Sequence, residues 1–346
     1  MPGFVVNAVY RLMKGSGVFL SLFVVWAGMV AAPAATVAEP TFGDIVKAVI
    51  EVNAKIKPGA RTAGSLGLQR AGSGVLIGDD GLILTIGYLI MESDSLSIVT
   101  RDGVNIPADF VAYDHRTGFG LLRATRTFGV TPLALGDSEA QKAGMPLLVV
   151  STGDQGAVTP VRVVSRRSFA GYWEYLLDTA IYTMPMHRQY GGAALLDLKG
   201  QLVGIGSLFV NDAMAPDEET PGNMFVPVNL LKPILADLLT SGTSGQPARP
   251  WIGVYTGEAK GKVIVNRVAA DGPGALAGVK PGDIIIGVAG RRVSGMVDLY
   301  RKVWSRGAAG IDVPLDVLPL GSTTLEIKKI TVHSRDRHKW LRLGNN

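Results

Sequence analysis

Short hydrophobic runs between residues 50 and 210 constrain the fold of this chain more than any other feature. Residues 50–56 alternate apolar side chains with Glu51, Asn53 and Lys55, which is the period of a half-buried β-strand. Turn signals such as Asp80-Gly81 separate the runs. Many short strands without helical repeats between them predict a mainly β protein, built as a barrel or a sandwich. The predicted strands cover residues 50–56, 75–77, 82–85, 96–100, 106–112, 121–124, 147–151, 158–164, 175–181, 193–196 and 202–209.

Length and composition set the number of domains and exclude several functions. With 346 residues and 47% hydrophobic content, the chain can bury two ordinary cores and still carry an export segment. It contains no cysteine, which excludes disulfide bonds and thiolate catalysis. A formal charge of +5, without a basic patch that interleaves aromatic residues, gives no support to nucleic-acid binding. The four histidines lack metal-ligand spacing, so we expect no metal and no cofactor.

The N-terminus has the pattern of a secretory signal. Arg11 and Lys14 precede an apolar run at residues 18–30, and small residues follow, with candidate cleavage sites ending at Ala34 or Ala38. The run is shorter than the roughly 20 residues that span a bilayer as a helix. We therefore predict a signal peptide at residues 1–38. The sequence leaves open an uncleaved membrane anchor, since the residues that follow could lengthen the apolar segment.

Three segments of the chain carry the motifs of one protein family. Residues 72–90 read GSGVLIGDDGLILTIGYLI, residues 113–122 read YDHRTGFGLL, and residues 189–205 read QYGGAALLDLKGQLVGI. They resemble, in this order, the segments that carry the histidine, the aspartate and the serine of HtrA-type trypsin-like serine proteases. The resemblance implies a trypsin-like double β-barrel for residues 41–240. It also implies a setting in the bacterial envelope, which places the exported chain in the periplasm.

The residues that would perform the chemistry are replaced in all three segments. Tyr88 stands at the histidine position, Gly118 at the aspartate position and Tyr190 at the serine position. A serine hydroxyl becomes a nucleophile only when an imidazole takes its proton and a carboxylate orients that imidazole. A phenol, with a pKa near 10, cannot replace either group. We therefore predict that the triad is degenerate, that Tyr88 leans toward Gly118, and that it fills the old cleft together with Tyr190.

The histidines leave a second hypothesis open. His115 and His187 lie on or near the second and third segments, and either could serve as a relocated base, although a polar loop histidine is the simpler interpretation. His333 and His338 fall in the C-terminal tail. The alternative function is therefore an active serine-type endopeptidase of the HtrA class with an atypical catalytic constellation.

A helix and a linker end the trypsin-like part. Asn229 is a predicted N-cap for a helix at residues 230–240, with Pro233 in its first turn, where a missing N–H costs little. The segment that follows is rich in Ser and Gly, which is typical of a flexible linker. We place this linker at residues 241–249.

The last third of the chain resembles the PDZ domain of the same family. Residues 250–254, PWIGV, are similar to its carboxylate-binding loop, residues 272–285, GPGALAGVKPGDII, to its core segment, and residues 296–304 to the helix beside its groove. Successive backbone N–H groups at a bend can capture a peptide's C-terminal carboxylate, and the adjacent strand edge pairs with the peptide. We expect a small α+β PDZ domain at residues 250–332. Its predicted peptide-binding residues are Trp251, Ile252, Gly253, Val254, Leu299 and Val303, although Ile252 and Val254 could be core residues only.

Together these patterns predict an exported HtrA-like pseudoprotease. It would act as a peptide- or protein-binding adaptor in envelope protein quality control, with extended peptides or C-termini of envelope proteins as partners. A third hypothesis is an oligomeric scaffold, because relatives form trimers through the N-terminal part of the protease domain, where Phe42 lies. The basic tail at residues 333–346 is either solvated or docked, on the barrels or on an anionic membrane surface. The sequence does not identify the partner or the oligomeric state.

Overall fold

Six strands between residues 49 and 124 form the first β-barrel of the computed structural model. Around the barrel they follow the order β1-β2-β3-β6-β5-β4, and each neighbouring pair is antiparallel. In β1, Val52, Ala54 and Ile56 are buried, while the residues between them are half or fully exposed, as the sequence period predicts. The strands are β1 (Val49–Ile56), β2 (Gln69–Leu76), β3 (Leu82–Ile86), β4 (Ser93–Val99), β5 (Asn105–Tyr113) and β6 (Phe119–Ala124).

A second barrel follows, with the strand order β10-β11-β12-β9-β8-β7. Side chains of both barrels, among them Ile50 and Val226, meet in one buried hydrophobic cluster. The long strands β8 and β9 form a hairpin that extends beyond the barrel toward the C-terminal part of the chain. The strands are β7 (Pro146–Val150), β8 (Val158–Gly171), β9 (Tyr175–Met184), β10 (Ala194–Leu196), β11 (Leu202–Val210) and β12 (Gly222–Pro227).

The C-terminal part contains one mixed unit of sheet and helix. Its strands follow the order β13-β14-β15-β17-β18, and β16 pairs with β15. Helix α5 lies at Met296–Trp304, as predicted, and buries a face spaced at the helical period, Met296, Leu299, Tyr300 and Val303. The remaining elements are β13 (Val254–Ala259), β14 (Lys262–Val268), α4 (Pro273–Leu276), β15 (Ile284–Val288), β16 (Arg291–Arg292), β17 (Asp312–Leu318) and β18 (Lys328–His333).

The structure describes residues 41–153, 158–320, 326–341 and 343. The predicted signal peptide therefore lies outside the described residues. All of the described residues belong to one compact unit. In the part of the chain that the structure describes, no helix combines the length and the apolarity needed to cross a bilayer. Two short helices, α1 (Phe42–Lys47) and α2 (Ala63–Leu66), flank β1.

The helix predicted at residues 230–240 is shorter than expected. Helix α3 covers Leu235–Ser241, and a separate 3₁₀ turn lies at Val228–Leu230. Pro233 explains the break, because it has no N–H to donate and its ring disfavours a helical conformation at the residue before it. The Asn229 side chain does not cap the helix. It accepts a hydrogen bond from the Ser138 N–H (3.3 Å) and donates one to Asp137 (2.7 Å).

The linker after α3 is tied to the first barrel, contrary to the expectation of a flexible segment. The Arg116 guanidinium donates to Gln246 Oε1 (2.7 Å) and to the Pro247 carbonyl (2.6 Å). Ser244 in the same segment is buried. Side-chain bonds from the barrel thus fix a segment whose composition alone indicates mobility.

The C-terminal tail docks rather than extending into solvent. Trp251 and Arg335 exchange two backbone hydrogen bonds of 3.0 Å, and helix α6 (Arg337–Trp340) follows. The His338 ring stacks on Tyr113 of the first barrel, with ring centroids 6.3 Å apart. The tail therefore connects the C-terminal unit to the first barrel.

Candidate functional site

Tyr88, at the predicted histidine position, lies on a 3₁₀ turn after β3. Its hydroxyl donates a hydrogen bond to the Ser207 carbonyl at 2.9 Å. A Cβ atom added to Gly191 would lie 2.9 Å from the same hydroxyl, so the ring points at the segment that carries Tyr190. Burial, together with the nearby Tyr190, raises the pKa of Tyr88 above its usual range. Tyr88 is thus a neutral hydrogen-bond donor and not a base.

Gly118, at the predicted aspartate position, leaves little room for a side chain. Its φ of +81° is in the left-handed region, and an added Cβ atom would lie 3.0 Å from the Tyr175 hydroxyl. That hydroxyl donates to the Thr117 carbonyl at 2.6 Å. Tyr175 of the second barrel therefore occupies the place of the missing carboxylate. The atoms that would meet a side chain at Gly118 belong to Tyr175 and not to Tyr88, whose hydroxyl bonds to the Ser207 carbonyl instead.

Tyr190, at the predicted serine position, is half-buried at the edge of a cavity. The cavity has a volume of about 280 Å³, and Tyr88, Gly118, Tyr175 and Tyr190 line part of its wall. The two tyrosines therefore leave part of the cleft open, whereas the sequence predicted that they would fill it. The residues at the three triad positions hold no nucleophile, no imidazole and no carboxylate.

His187 forms a hydrogen bond with a serine, but the arrangement does not support catalysis. Its Nε2 lies 2.8 Å from Ser151 Oγ, and its Nδ1 lies 2.8 Å from Thr159 Oγ1. The third group is thus a hydroxyl and not a carboxylate. Ser151 has no exposed surface, so a substrate carbonyl cannot reach its hydroxyl. The pair fixes the loop before Tyr190 to the end of β7.

The remaining histidines have structural partners. His115 Nδ1 lies 2.9 Å from the Tyr113 hydroxyl, and burial lowers the pKa of His115 well below its usual value. His333 Nδ1 lies 2.9 Å from Asp312, and His338 Nε2 lies 3.0 Å from the Tyr113 carbonyl. Across the described ranges, no three His, Asp or Glu side chains form a group that could hold a metal ion.

The structure brings the predicted peptide-binding residues together in the C-terminal unit. Ile252 and Val254 pack with Leu299 and Val303 in one buried cluster, and Trp251 is buried beside them. Gly253 has a φ of +74°, and an added Cβ atom would lie 2.9 Å from Pro273 Cδ. A larger residue would be strained in this loop conformation and would press against Pro273.

Comparisons with known proteins agree with both units. Residues 72–205 match the trypsin-like peptidase domain family, and residues 264–308 match the PDZ domain family. This is the domain combination of the HtrA-type proteases. At the positions that the motifs assign to the triad, the chain carries Tyr88, Gly118 and Tyr190.

Curated relatives are named as proteases. A probable periplasmic serine endoprotease, DegP-like, of Rhizobium meliloti is 27% identical over 265 residues, which is 71% of this chain and 50% of the relative. A serine protease Do-like HtrA of Bacillus subtilis is 25% identical over 298 residues, covering 77% of this chain and 64% of the relative. The chain thus spans about half to two thirds of the length of these relatives.

Solved structures show the same fold. The HtrA-type protease AlgW with a decapeptide has a TM-score of 0.50 at 20% identity, covering 86% of this chain and 98% of that one. A serine endoprotease from Yersinia pestis has a TM-score of 0.50 at 21% identity, covering 86% and 99%. At these identities the likeness establishes the fold alone.

The loop at residues 252–254, which is predicted to bind a peptide carboxylate, already holds a carboxylate. Glu174 Oε1 accepts hydrogen bonds from the backbone N–H groups of Gly253 (2.7 Å) and Val254 (3.0 Å), and its Oε2 accepts one from Ile252 (2.9 Å). Glu174 belongs to the turn between β8 and β9, in the trypsin-like domain. Its side chain stands where the terminal carboxylate of a peptide would bind.

Neighbours of Glu174 occupy the rest of the groove. The Tyr172 carbonyl accepts a hydrogen bond of 2.9 Å from the Thr256 N–H on β13, the strand edge that would pair with a peptide. Leu176 is buried in the same hydrophobic cluster as Leu299 and Val303. The Tyr300 hydroxyl of α5 donates to the Gly171 carbonyl at 2.8 Å. In this structure the chain itself therefore fills the predicted groove.

The environment of Glu174 is unusual for a glutamate. The residue is 3% exposed, and its φ of +59° lies in the left-handed region that favours glycine. Burial raises the pKa of Glu174 to about 7, although the three backbone N–H groups and Arg337 act in the opposite direction. Both features indicate a residue held in place by the loop it contacts.

Sequence reasoning missed Glu174 and Arg337. The Arg337 guanidinium donates to the Trp173 carbonyl (2.5 Å) and lies 3.0 Å from His115 Nε2, so the tail grips the turn that carries Glu174. The only local signal is a single glutamate among aromatic residues at 172–175. Nothing in that pattern indicates a contact with a loop far along the chain.

Proposed function

We propose that this chain is an exported HtrA-like pseudoprotease that works as a peptide- or protein-binding adaptor in envelope protein quality control. One observation carries the non-catalytic half of the proposal. Tyr88, Gly118 and Tyr190 replace the triad, and the Tyr175 hydroxyl occupies the position of the orienting carboxylate. Restoring a single residue would not rebuild such a site, because Gly118 has a left-handed backbone and the Tyr175 hydroxyl lies close to where its side chain would begin.

The competing hypothesis of an atypical endopeptidase has a direct test. The purified protein is incubated with an unfolded protein substrate and, separately, with a fluorophosphonate probe that labels activated serines. We expect neither cleavage nor labelling, while an active HtrA-type enzyme treated in parallel gives both. Labelling that disappears in Ser151→Ala would overturn the proposal, because it would identify the Ser151–His187 pair as a working site.

The peptide-binding half of the proposal is supported by the loop at residues 252–254. Its three N–H groups converge on one carboxylate, beside an apolar pocket and a strand edge. We propose ligands with a free, apolar C-terminus and an intrinsic affinity in the micromolar range, about −8 kcal/mol. Calorimetry with peptides that carry a free or an amidated C-terminus tests this. Equal binding of both forms would contradict it.

A glycine pair provides the matched control for the binding site. Gly253→Val places a branched side chain against Pro273, so we expect binding to be lost. Gly278 has a similar φ, +88°, but no atom lies within 4 Å of an added Cβ. Gly278→Val should therefore bear the same backbone strain and keep peptide binding. Equal loss in both variants would indicate general unfolding of the domain.

Location and assembly are further parts of the proposal. We propose a periplasmic protein, in line with the names of its relatives and with the signal pattern at residues 1–38. Cell fractionation with N-terminal sequencing tests this, and full-length protein confined to the membrane pellet would favour an anchor.

We also propose a homo-oligomer, because Phe42 is 54% exposed near the described N-terminus. Analytical ultracentrifugation of Phe42→Ser against the wild type tests this contact. Co-sedimentation with anionic vesicles tests the peripheral membrane contact of the basic tail.

A further inference from the structure

We propose that the tip of the β8–β9 hairpin, residues 171–176, is a built-in ligand that holds the PDZ groove closed until a C-terminal carboxylate displaces it. Displacement by a partner rests on the proposed peptide-binding function, whereas closure of the groove does not. Four independent features of the hairpin tip support closure.

The first feature is the carboxylate of Glu174. It takes all three hydrogen bonds that the loop at residues 252–254 offers, at 2.7–3.0 Å. The oxygens of a second carboxylate cannot occupy the same positions, so Glu174 and a peptide C-terminus exclude each other. The hairpin tip therefore competes directly for the most specific part of the groove.

The second feature is the imitation of the rest of a peptide. The Tyr172 carbonyl takes the Thr256 N–H on the strand edge, and Leu176 enters the apolar cluster with Leu299 and Val303. A bound C-terminal peptide would use these same three elements, namely loop, strand edge and pocket. The hairpin tip thus offers the groove an acidic group and an aliphatic side chain, as the C-terminus of a peptide would.

The third feature is strain in the turn. Gly171 pairs with Tyr175, so residues 172–174 form a three-residue hairpin loop whose last residue is left-handed. That place suits glycine, yet Glu174 occupies it. A glutamate in this conformation persists only because the surrounding contacts hold it. The loop at residues 252–254 supplies those contacts through its hydrogen bonds to the Glu174 carboxylate. These are the same hydrogen bonds that must break when a peptide displaces the hairpin tip.

The fourth feature is a clasp from the tail. Arg337 of α6, which is buried, donates to the Trp173 carbonyl and lies 3.0 Å from His115 Nε2. His115 Nε2 in turn lies 3.2 Å from the Glu174 carbonyl oxygen. Arg337 and His115 therefore contact the backbone carbonyls of the turn, while the loop at residues 252–254 binds its carboxylate. Displacement of the hairpin tip must disturb the tail as well.

Closure lowers the apparent affinity of the groove by the fraction of molecules that are open. Glu174→Gln keeps the size of the side chain but places an amide nitrogen opposite an N–H donor, so it weakens closure. Glu174→Gly removes every carboxylate bond and suits the positive φ, so the hairpin itself is retained. Asp178→Asn is the matched control, because Asp178 lies on the same hairpin and contacts α5 only through an exposed salt bridge to Arg301.

The test measures peptide affinity and amide hydrogen exchange in the same proteins. We use the chain from residue 40 onward, which forms one compact unit, and a peptide with a free C-terminal leucine. We expect Glu174→Gly to bind the peptide at least tenfold more tightly than the wild type, Glu174→Gln to fall between them, and Asp178→Asn to stay within twofold of the wild type. Amides of residues 252–254 should exchange slowly in the wild type and faster in both Glu174 variants. If Glu174→Gly folds poorly, Glu174→Gln provides the same comparison.

The outcomes separate this proposal from the proposed function. Equal peptide affinities in the wild type and Glu174→Gly, with equal amide exchange, overturn closure and leave peptide binding intact. Faster exchange in the Glu174 variants, with no peptide bound by any form, supports closure and overturns the peptide-binding function. Fast exchange of these amides in the wild type overturns closure whatever the affinities are.

Discussion

The cleft at the three triad positions and the PDZ groove differ in the groups that each presents. In the cleft, Tyr88, Gly118 and Tyr190 line a cavity of about 280 Å³ but offer no group that could attack a substrate. In the PDZ domain the three backbone N–H groups of the recognition loop are present, and all of them are bonded to Glu174. Catalytic chemistry depends on a few side chains, so substitution removes it. Carboxylate recognition depends on backbone, so it survives substitution and is suppressed only when another group occupies it.

The largest expected effect concerns the cleft, at Gly118. Gly118→Asp restores the aspartate, but the change strains a φ of +81° and presses the side chain against the Tyr175 hydroxyl. We expect the free energy of unfolding to fall by about 3 kcal/mol, because strain and an unpaired buried carboxylate add together. Gly103 has a φ of +83° with no atom within 4 Å of an added Cβ, so Gly103→Asp should cost only about 1 kcal/mol. Equal losses in urea titrations would show that the cleft has kept room for a carboxylate.

The next effect concerns the clasp on the groove. Arg337→Ala removes the donor to the Trp173 carbonyl and leaves that oxygen without its partner. We expect a loss of about 2 kcal/mol in the free energy of unfolding and faster amide exchange at residues 172–176. Arg335→Ala, at an exposed position two residues earlier, should stay within about 0.5 kcal/mol of the wild type. Similar exchange in the two variants would contradict the clasp.

A smaller effect distinguishes a structural tyrosine from a catalytic one. Tyr88→Phe removes only the hydrogen bond to the Ser207 carbonyl. We expect a loss of about 1 kcal/mol in the free energy of unfolding. Neither the wild type nor the variant should hydrolyse a substrate. Tyr172 is 53% exposed as a residue, so Tyr172→Phe should change stability by less than about 0.5 kcal/mol. A Tyr88→Phe variant that loses measurable hydrolytic activity would reverse our view of the cleft.

The smallest effect is a dependence of peptide binding on pH. Burial raises the pKa of Glu174 to about 7 in the closed groove, against about 4.3 for a solvated glutamate. The closed state therefore binds more protons. It is favoured most below the solvated pKa, and it loses this advantage as pH rises through 7. We expect peptide affinity to increase about fourfold from pH 6.5 to pH 8.

Other groups define the window for this measurement. His115, Arg337 and Tyr300 face the same hairpin tip. Burial lowers the pKa of His115 and raises that of Tyr300 above the usual range, so neither changes charge between pH 6.5 and pH 8. In Glu174→Gln the increase should disappear. An increase that persists in this variant would assign the dependence to another group.

Local patterns predicted individual strands, and the family resemblance predicted the architecture. Alternation in residues 50–56 corresponds closely to β1, and the helix that the PDZ resemblance implies at residues 296–304 corresponds to α5. The sequence does not predict β12, because only four residues lie between Gly222 and Pro227, and glycine and proline disfavour strands. The predicted helix begins too early, just after Asn229, because Pro233 prevents a regular helix before residue 235.

The sites were predicted less completely, because they depend on contacts between distant segments. The absence of the triad can be seen position by position, at Tyr88, Gly118 and Tyr190. The filling of the Gly118 position by Tyr175 and the capture of the PDZ loop by Glu174 join parts of the chain that no local period connects. Gly253 is predicted from the resemblance of residues 250–254 to a carboxylate-binding loop, and its φ of +74° is one that glycine adopts readily.

A crystal structure of Glu174→Gly with a peptide ending in leucine tests the central claim most directly. We predict that the peptide carboxylate accepts the N–H groups of Ile252, Gly253 and Val254, that its leucine lies beside Leu299 and Val303, and that the hairpin tip has moved out of the groove. A peptide bound elsewhere, with residues 172–176 still against β13, would contradict the view that the chain masks an intact recognition site with its own hairpin.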